Sequence, residues 1–355
     1  MTMSAERPMS DGETPSSTAA SAGNRVPDFF IVGHAKCGTT ALYEMLRRHP
    51  QIHMPAKEPR FFAMKEIRLQ PGGSDGDAAS ESDDSQESED APGRRPRTLD
   101  GYRALFTDAG PDQLIGEATP AYLRSSLAPE RIASVQPDAR IIAILREPTS
   151  FLRSFHLQSV RGYNETQSDF QKAIALVEPR REGRSLPRLS RTPWDLLYTD
   201  HVRYVEQLRR YEQAFSREQM LVLIYDDFRA DNEAVVRSVL RFLELDDALP
   251  IQVVRTRPSR DVRFQQLHRL VNLRRIALDS LPGAAAVSRT ANAFTPEYMR
   301  GAVRKRWRSV AFGEPEPPDE QFMRELRLRF KPEVQALSDY LGRDLQALWG
   351  YEHIS

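Results

Sequence analysis

Two glycines, a lysine and two threonines between positions 33 and 40 have the types and spacing to hold a phosphate. Gly33-His-Ala-Lys36-Cys37-Gly38-Thr39-Thr40 closes the apolar run that begins at Phe29, and it opens a segment with Leu42, Met45 and Leu46 on one helical face. Such a strand, loop and helix aim backbone N–H groups and the positive end of the helix at an anion. The Thr39 and Thr40 hydroxyls add donors. In the common nucleotide-binding loop, G-x-x-x-x-G-K-[ST], the lysine follows the second glycine. Here Thr39 stands in that place and Lys36 lies two residues before Gly38. The pattern keeps the phosphate cradle and loses the lysine and hydroxyl placed for a β/γ-phosphate and Mg²⁺. It predicts a phosphate site poorly equipped for metal-dependent nucleotide hydrolysis. Taken alone, an ordinary strand-to-helix turn fits the same residues.

A second segment has the same character. The run Ile141 to Leu145 reads as a buried strand, ending in Arg146-Glu-Pro148-Thr-Ser and then Phe151-Leu-Arg-Ser154-Phe-His156. Pro148 suits the first position of a helix. Arg146 then sits at the carboxyl end of a strand, where open α/β sheets bind ligands. Arginine suits bidentate phosphate binding and Ser154 a supplementary bond. By itself the segment also fits an arginine capping a neighbouring helix.

Together these segments resemble the sulfotransferase family that uses 3′-phosphoadenosine 5′-phosphosulfate (PAPS). "KCGTT" (Lys36 to Thr40) is similar to the family loop that binds the donor's 5′-phosphosulfate, and "REPTSFLRS" (Arg146 to Ser154) to the segment that binds its 3′-phosphate. "LRRHPQI", "KEPRFF", "GEATPAYL", the stretch from "YVEQL" to "YDDFRAD" and the closing "LSDYLGRDLQALWG" resemble the heparan-sulfate branch and bacterial members. The likeness spans most of residues 27 to 351. It implies that Lys36, Cys37, Gly38, Thr39, Thr40, Arg146 and Ser154 bind the donor, with product 3′-phosphoadenosine 5′-phosphate (PAP) and no metal. The basic stretch "RTRPSRDVRF" (Arg255 to Phe264) stands about where the family's adenine-side loop belongs, with Arg257, Arg260 and Arg263 as candidates and Arg260 assigned. Some relatives carry a lysine where Ala118 stands, so that contact is not carried over.

The implied reaction is in-line transfer of a sulfuryl group to an acceptor hydroxyl. It needs charge stabilised on the departing phosphate oxygen and a proton taken from the acceptor. Lys36 suits the first task. Without the resemblance, Glu58 reads as a surface ion-pair partner of Lys57 or Arg60; with it, Glu58 is the base, aided by burial beside Phe61 and Phe62. Glu117, His53 and His156 are the candidate acceptor-side residues, and His34 lies inside the loop. Cys37, at a helix start that would lower its pKa, has no partner histidine in evidence and is not a nucleophile.

The elements that must position these residues alternate. Strands are predicted at Phe29 to Gly33, Gln113 to Ala118, Arg140 to Pro148 and Met220 to Phe228. Helices are predicted at Thr39 to Arg48, Pro129 to Val135, Phe151 to Gly162, Thr199 to Phe215 and Asn232 to Leu243. This predicts an α/β, P-loop-type three-layer fold with a central, mostly parallel sheet flanked by helices. Residues 1–26 and the acidic stretch 70–97 lack the apolar content to fold; the first reads as a disordered tail and the second as an insertion within one domain, 27–351.

With 50 basic and 50 acidic residues in 355, no charge excess points to nucleic acid, and no run of 18 apolar residues points to a membrane span. The single cysteine, Cys37, excludes an internal disulfide and suits a cytoplasmic protein. The acceptor is expected to be a glycan, a glycolipid or a small natural product, bound among the arginines and aromatics of 163–200 and 255–320, including Trp194, Tyr198 and Trp307. Two rival readings are a P-loop kinase or NTPase, with Asp226 and Asp227 mimicking its metal-holding acid, and a catalytically silent nucleotide-binding protein.

Overall fold

The computed structural model describes residues 25–64, 95–162, 164–187, 190, 192–253, 261–262, 312–313 and 317–354. Residues 1–24 of the expected tail, 70–94 of the expected insertion, Arg257, Arg260, Arg263 and Trp307 lie outside them.

Five parallel strands form the main sheet: β1 (Phe29–Ile31), β2 (Ile52–His53), β3 (Leu114–Ala118), β4 (Arg140–Leu145) and β5 (Met220–Ile224). Their order is β2-β3-β1-β4-β5, every pair parallel. From β1 the chain runs to β2 and β3 on one side and then crosses from β3 to β4 on the other, so the strand order reverses at β1. That makes its carboxyl end the switch point where open α/β sheets bind ligands. Phe29, Phe30 and Ile31 are fully buried, as a central strand covered on both faces requires. A short antiparallel pair joins 261–262 to 312–313.

Helices cover the sheet: α1 (Thr39–Leu46), α2 (Leu99–Arg103), α3 (Ala128–Val135), α4 (Pro148–Arg161), α5 (Phe170–Ala175), α6 (Val177–Arg181), α7 (Tyr204–Glu212), α8 (Tyr225–Ala230), α9 (Asn232–Phe242), α10 (Glu320–Leu341) and α11 (Leu345–Trp349). α10 packs on α4, α7 and α11. Its ends follow local rules: Asp319 caps the start by accepting from Gln321 N and Phe322 N, and Gly342 closes it in the left-handed region.

Two predicted elements are corrected. Met220 to Phe228 is a strand only to Ile224, and Tyr225–Ala230 is helix. Asp226 and Asp227 favour the first turn of a helix, and Phe228 is buried from there. Thr199 to Phe215 is not one helix: a 3₁₀ segment, Tyr198–Val202, precedes α7. Gln207 Nε2 donates to the carbonyls of Asp200 and His201 at 2.8 and 3.2 Å, and so occupies acceptors that a continuous helix would use.

Candidate active site

The loop after β1 is shaped by what lies behind it. A Cβ on Gly33 would sit 2.2 Å from the backbone nitrogen of Ile144 on β4, so only glycine lets the loop leave the sheet there. Gly38 has φ 90° and caps α1 without a side-chain hydrogen bond. Lys36 itself is left-handed, at φ 67°. Such a conformation in a residue with a Cβ costs energy and is found where function requires it.

The structure brings the two predicted anion segments together. Arg146 donates from Nη1 to the Lys36 carbonyl at 3.2 Å, with its guanidinium 4.8 Å from the Tyr225 ring centre. Its own carbonyl accepts from Tyr204 Oη at 2.8 Å. Glu147 holds the turn by accepting from Thr149 N, Ser150 N and Tyr351 Oη, so the chain's last helix region locks the Arg146 loop. Ser154 is buried two turns along α4. Burial lowers the Lys36 pKa, and the nearby cations Arg161 and Arg146 push in the same direction. Lys36 and these two arginines thus form a local cluster of positive charge. Arg161 escaped the sequence reading because it stands seven residues beyond Ser154, at the far end of the helix.

Cys37 is fully buried and its thiol is pushed up to about 12 by that burial. The lowering expected from the helix start is outweighed by desolvation, so Cys37 can serve an anion only through its backbone.

Glu58 has φ 65°, and its N–H donates to Ala118 O at 3.2 Å, which fixes the segment to the end of β3. Its Oε2 accepts both Arg60 Nε at 3.3 Å and Nη2 at 2.9 Å. The side chain is 34% exposed. Its partner is therefore Arg60, while Phe61 and Phe62 turn inward and are fully buried. Lys57 goes elsewhere: Nζ donates to Thr39 Oγ1 at 3.3 Å and Thr40 Oγ1 at 3.2 Å.

Glu117 is 1% exposed and faces no opening. It accepts from Thr119 Oγ1 at 2.6 Å, Tyr122 Oη at 3.1 Å and Tyr102 Oη. Thr119 Oγ1 in turn accepts from Arg60 N at 3.4 Å, and Tyr122 Oη from Phe62 N at 3.3 Å. Glu117 thus supports the shelf that carries Glu58 rather than meeting an acceptor. Burial raises its carboxyl to about 7, against three hydrogen bonds that oppose the rise.

The histidines are also mostly structural. His156 is buried, its ring nitrogens bonded to Tyr198 Oη and Ser168 O, both at 3.0 Å. His34 is buried against Phe151, His201 and Tyr204, and desolvation lowers it to about 4. Gln207 spends its NH₂ on two carbonyls, so its oxygen faces His34 Nε2 at 2.9 Å and that nitrogen carries the proton. His53 is half-buried at the end of the edge strand β2.

Comparison with known protein families matches residues 27–248 to the sulfotransferase family. The chain belongs to the sulfotransferase family. Human heparan sulfate glucosamine 3-O-sulfotransferase 5 is 27% identical over 224 residues, covering 62% of this chain and 54% of the relative. Human heparan sulfate glucosamine 3-O-sulfotransferase 6 is 31% identical over 136 residues, covering 38% of this chain and 31% of the relative. The chain therefore spans about half or less of these relatives' length. A sulfotransferase crystal structure from Alicyclobacillus acidocaldarius superposes with a TM-score of 0.59 at 25% identity, covering 91% of this chain and 98% of that one. The five-stranded parallel sheet flanked by helices is the sulfotransferase architecture, as the sequence implied.

Proposed function

We propose that this sulfotransferase moves a sulfuryl group from PAPS to a hydroxyl of a carbohydrate, glycolipid or small natural product. The observation that carries this reading is the meeting of the two anion segments, with Arg146 donating to the Lys36 carbonyl at 3.2 Å at the switch point of the sheet. The loop of Lys36 to Thr40 holds the 5′-phosphosulfate, and Arg146 with Ser154 holds the 3′-phosphate. The acceptor oxygen attacks sulfur and its proton passes to Glu58. The bond from sulfur to the bridging oxygen breaks, leaving its electrons on the 5′-phosphate of PAP. The Lys36 ammonium stabilises that oxygen. Both Arg60 bonds go to Oε2 of Glu58, so Oε1 is assigned the proton.

The acidic residues a nucleotide hydrolase would aim at Mg²⁺ are otherwise engaged. Asp227 pairs with Arg343, and Asp226 accepts from Trp349 Nε1 at 3.0 Å. This favours sulfuryl transfer over the kinase or NTPase reading. On the acceptor side, Trp194 is 56% exposed, and Arg124 donates to its carbonyl and pairs with Asp195. An exposed indole on a segment that Arg124 holds through the backbone suits a sugar face or an aromatic ring. The names of the curated relatives, glucosamine 3-O-sulfotransferases, lend weight to a sugar hydroxyl. A single cysteine fits a reducing compartment, so we place the reaction in the cytoplasm.

Calorimetric titration of PAP without Mg²⁺ tests the donor site. Micromolar binding, weakened in Arg146→Ala and Lys36→Ala, is the expected outcome. Binding of ATP with Mg²⁺ alone, or no binding, overturns the reading.

A further inference from the structure

Lys57 has no task in the mechanism above, yet it reaches the donor loop. Its Nζ lies 3.3 Å from Thr39 Oγ1 and 3.2 Å from Thr40 Oγ1. An ammonium only donates, so each hydroxyl accepts from Lys57 and keeps its own O–H to give elsewhere. Both threonines stand in the first turn of α1, where Gly38 supplies no side-chain cap. Their hydroxyl protons and the first-turn N–H groups can therefore be given to one anion.

The lysine is held in place from α1. Its Nζ is 5.8 Å from the Tyr43 ring centre, and the Tyr43 hydroxyl donates to Pro55 O at 2.6 Å, just ahead of Lys57 in the chain. The charged groups that act on it are Glu58, its neighbour, and Glu44 of α1. Glu58 already pairs with Arg60 and Glu44 with Arg47. Burial outweighs the pull of both carboxylates and lowers Lys57 to about 8. Lys57 is thus a partly buried cation short of negative charge, one peptide bond from the proposed base.

Resting on the sulfuryl-transfer reading of this site, we propose that Lys57 is a further cation of the donor site, acting at the 5′-phosphosulfate end beside Lys36. It turns the Thr39 and Thr40 hydroxyls to donate toward the 5′-phosphosulfate, and it ties the position of Glu58 to that loop. It is a positioning residue: the threonines touch the donor, and Lys57 acts through them.

An anion seated at the loop favours the charged lysine, so donor-site binding near pH 8 must draw protons from solution. Titration of PAP into the full chain near that pH, in two buffers of different ionisation enthalpy, reads affinity and proton uptake together. Lys57→Met is expected to bind about 10- to 100-fold more weakly, the scale of losing hydrogen bonds backed by a charge, and to take up fewer protons than wild type. The Lys36 pKa is lowered as well, chiefly by burial, so the difference between the two proteins is the quantity of interest. Lys57→Arg, whose charge does not titrate in this range, is expected to regain affinity without regaining the uptake.

Equal affinity and equal uptake in wild type and Lys57→Met overturn the proposal and leave the donor site standing. Failure of wild type to bind PAP overturns both. If Lys57→Met does not fold, Lys57→Arg decides: uptake equal to wild type overturns the proposal, and smaller uptake with retained binding supports it.

Discussion

Two glutamate–arginine pairs in this chain share their chemistry and differ in setting. Glu165 and Arg180 are 0% and 1% exposed, joined by two bonds of 2.7 and 2.8 Å. Glu165 also accepts from Thr166 N, Gln167 N and Tyr198 Oη, so its lone pairs are fully used. Glu58 and Arg60 are 34% and 30% exposed, and both of their bonds converge on one oxygen. The first pair anchors the segment that leads from α4 to α6. The second sits on a left-handed backbone beside the donor loop. The comparison teaches that an ion pair is a structural commitment only where burial removes the alternatives. A half-exposed carboxylate can trade its partner for a proton, whereas a fully buried, fully bonded one cannot.

The sharpest way to break the comparison is Arg180→Ala. It leaves Glu165 charged and unpaired in the core, and it is expected to lower stability by about 3–5 kcal/mol in urea unfolding. A loss near zero would make the two pairs equivalent.

Glu58→Gln is the counterpart at the site. A positioned base contributes about 10²- to 10⁴-fold, so kcat is expected to fall by that factor while the melting temperature stays close to wild type. Retained turnover would remove Glu58 from the chemistry.

Glu117 extends the comparison to a buried carboxyl with hydroxyl partners only. Its pKa is raised in the folded protein to about 7, from an ordinary 4.5. The folded state therefore holds the proton more tightly than the unfolded chain. The stability this contributes is complete below about pH 4.5 and is lost as pH rises through about 7. Denaturation of wild type and Glu117→Gln across that range should show wild type losing stability relative to the variant as pH rises, each pKa unit being worth about 1.4 kcal/mol. A flat difference would show that the three hydroxyls keep the carboxylate at its ordinary pKa.

Arg60→Ala is expected to do least. A half-exposed pair is worth about 0–1 kcal/mol, so unfolding should change within that range. A loss as large as that of Arg180→Ala would place Arg60 in the frame of the fold.

Much of the proposed donor site could be read from sequence because it is local. Gly33 to Thr40 is one contiguous loop whose backbone makes the cradle, and Arg146 to Ser154 is one strand end and one helix. Each can be read from residue spacing. The acceptor-side assignments were less legible, because histidines and carboxylates carry no mark of burial. His156 and Glu117 have the residue types of a site and the surroundings of a core. The break before α7 was hidden for a similar reason: it depends on a glutamine amide turning back on Asp200 and His201. The helix after β5 was hidden because no glycine or proline separates Ile224 from Tyr225–Ala230.

The sequence by itself determined the alternation of strands and helices, the two anion segments and the family to which they belong. Periodicity and short motifs are written within a few residues and survive without knowledge of the fold. Tertiary structure alone decided that Arg146 touches the Lys36 loop across 110 residues, that the Lys57 ammonium bonds Thr39 and Thr40 rather than pairing with Glu58, and that Glu117 is buried beneath the Glu58 segment. Those outcomes depend on which side chains burial deprives of water, and burial is a property of the packed sheet and its helices.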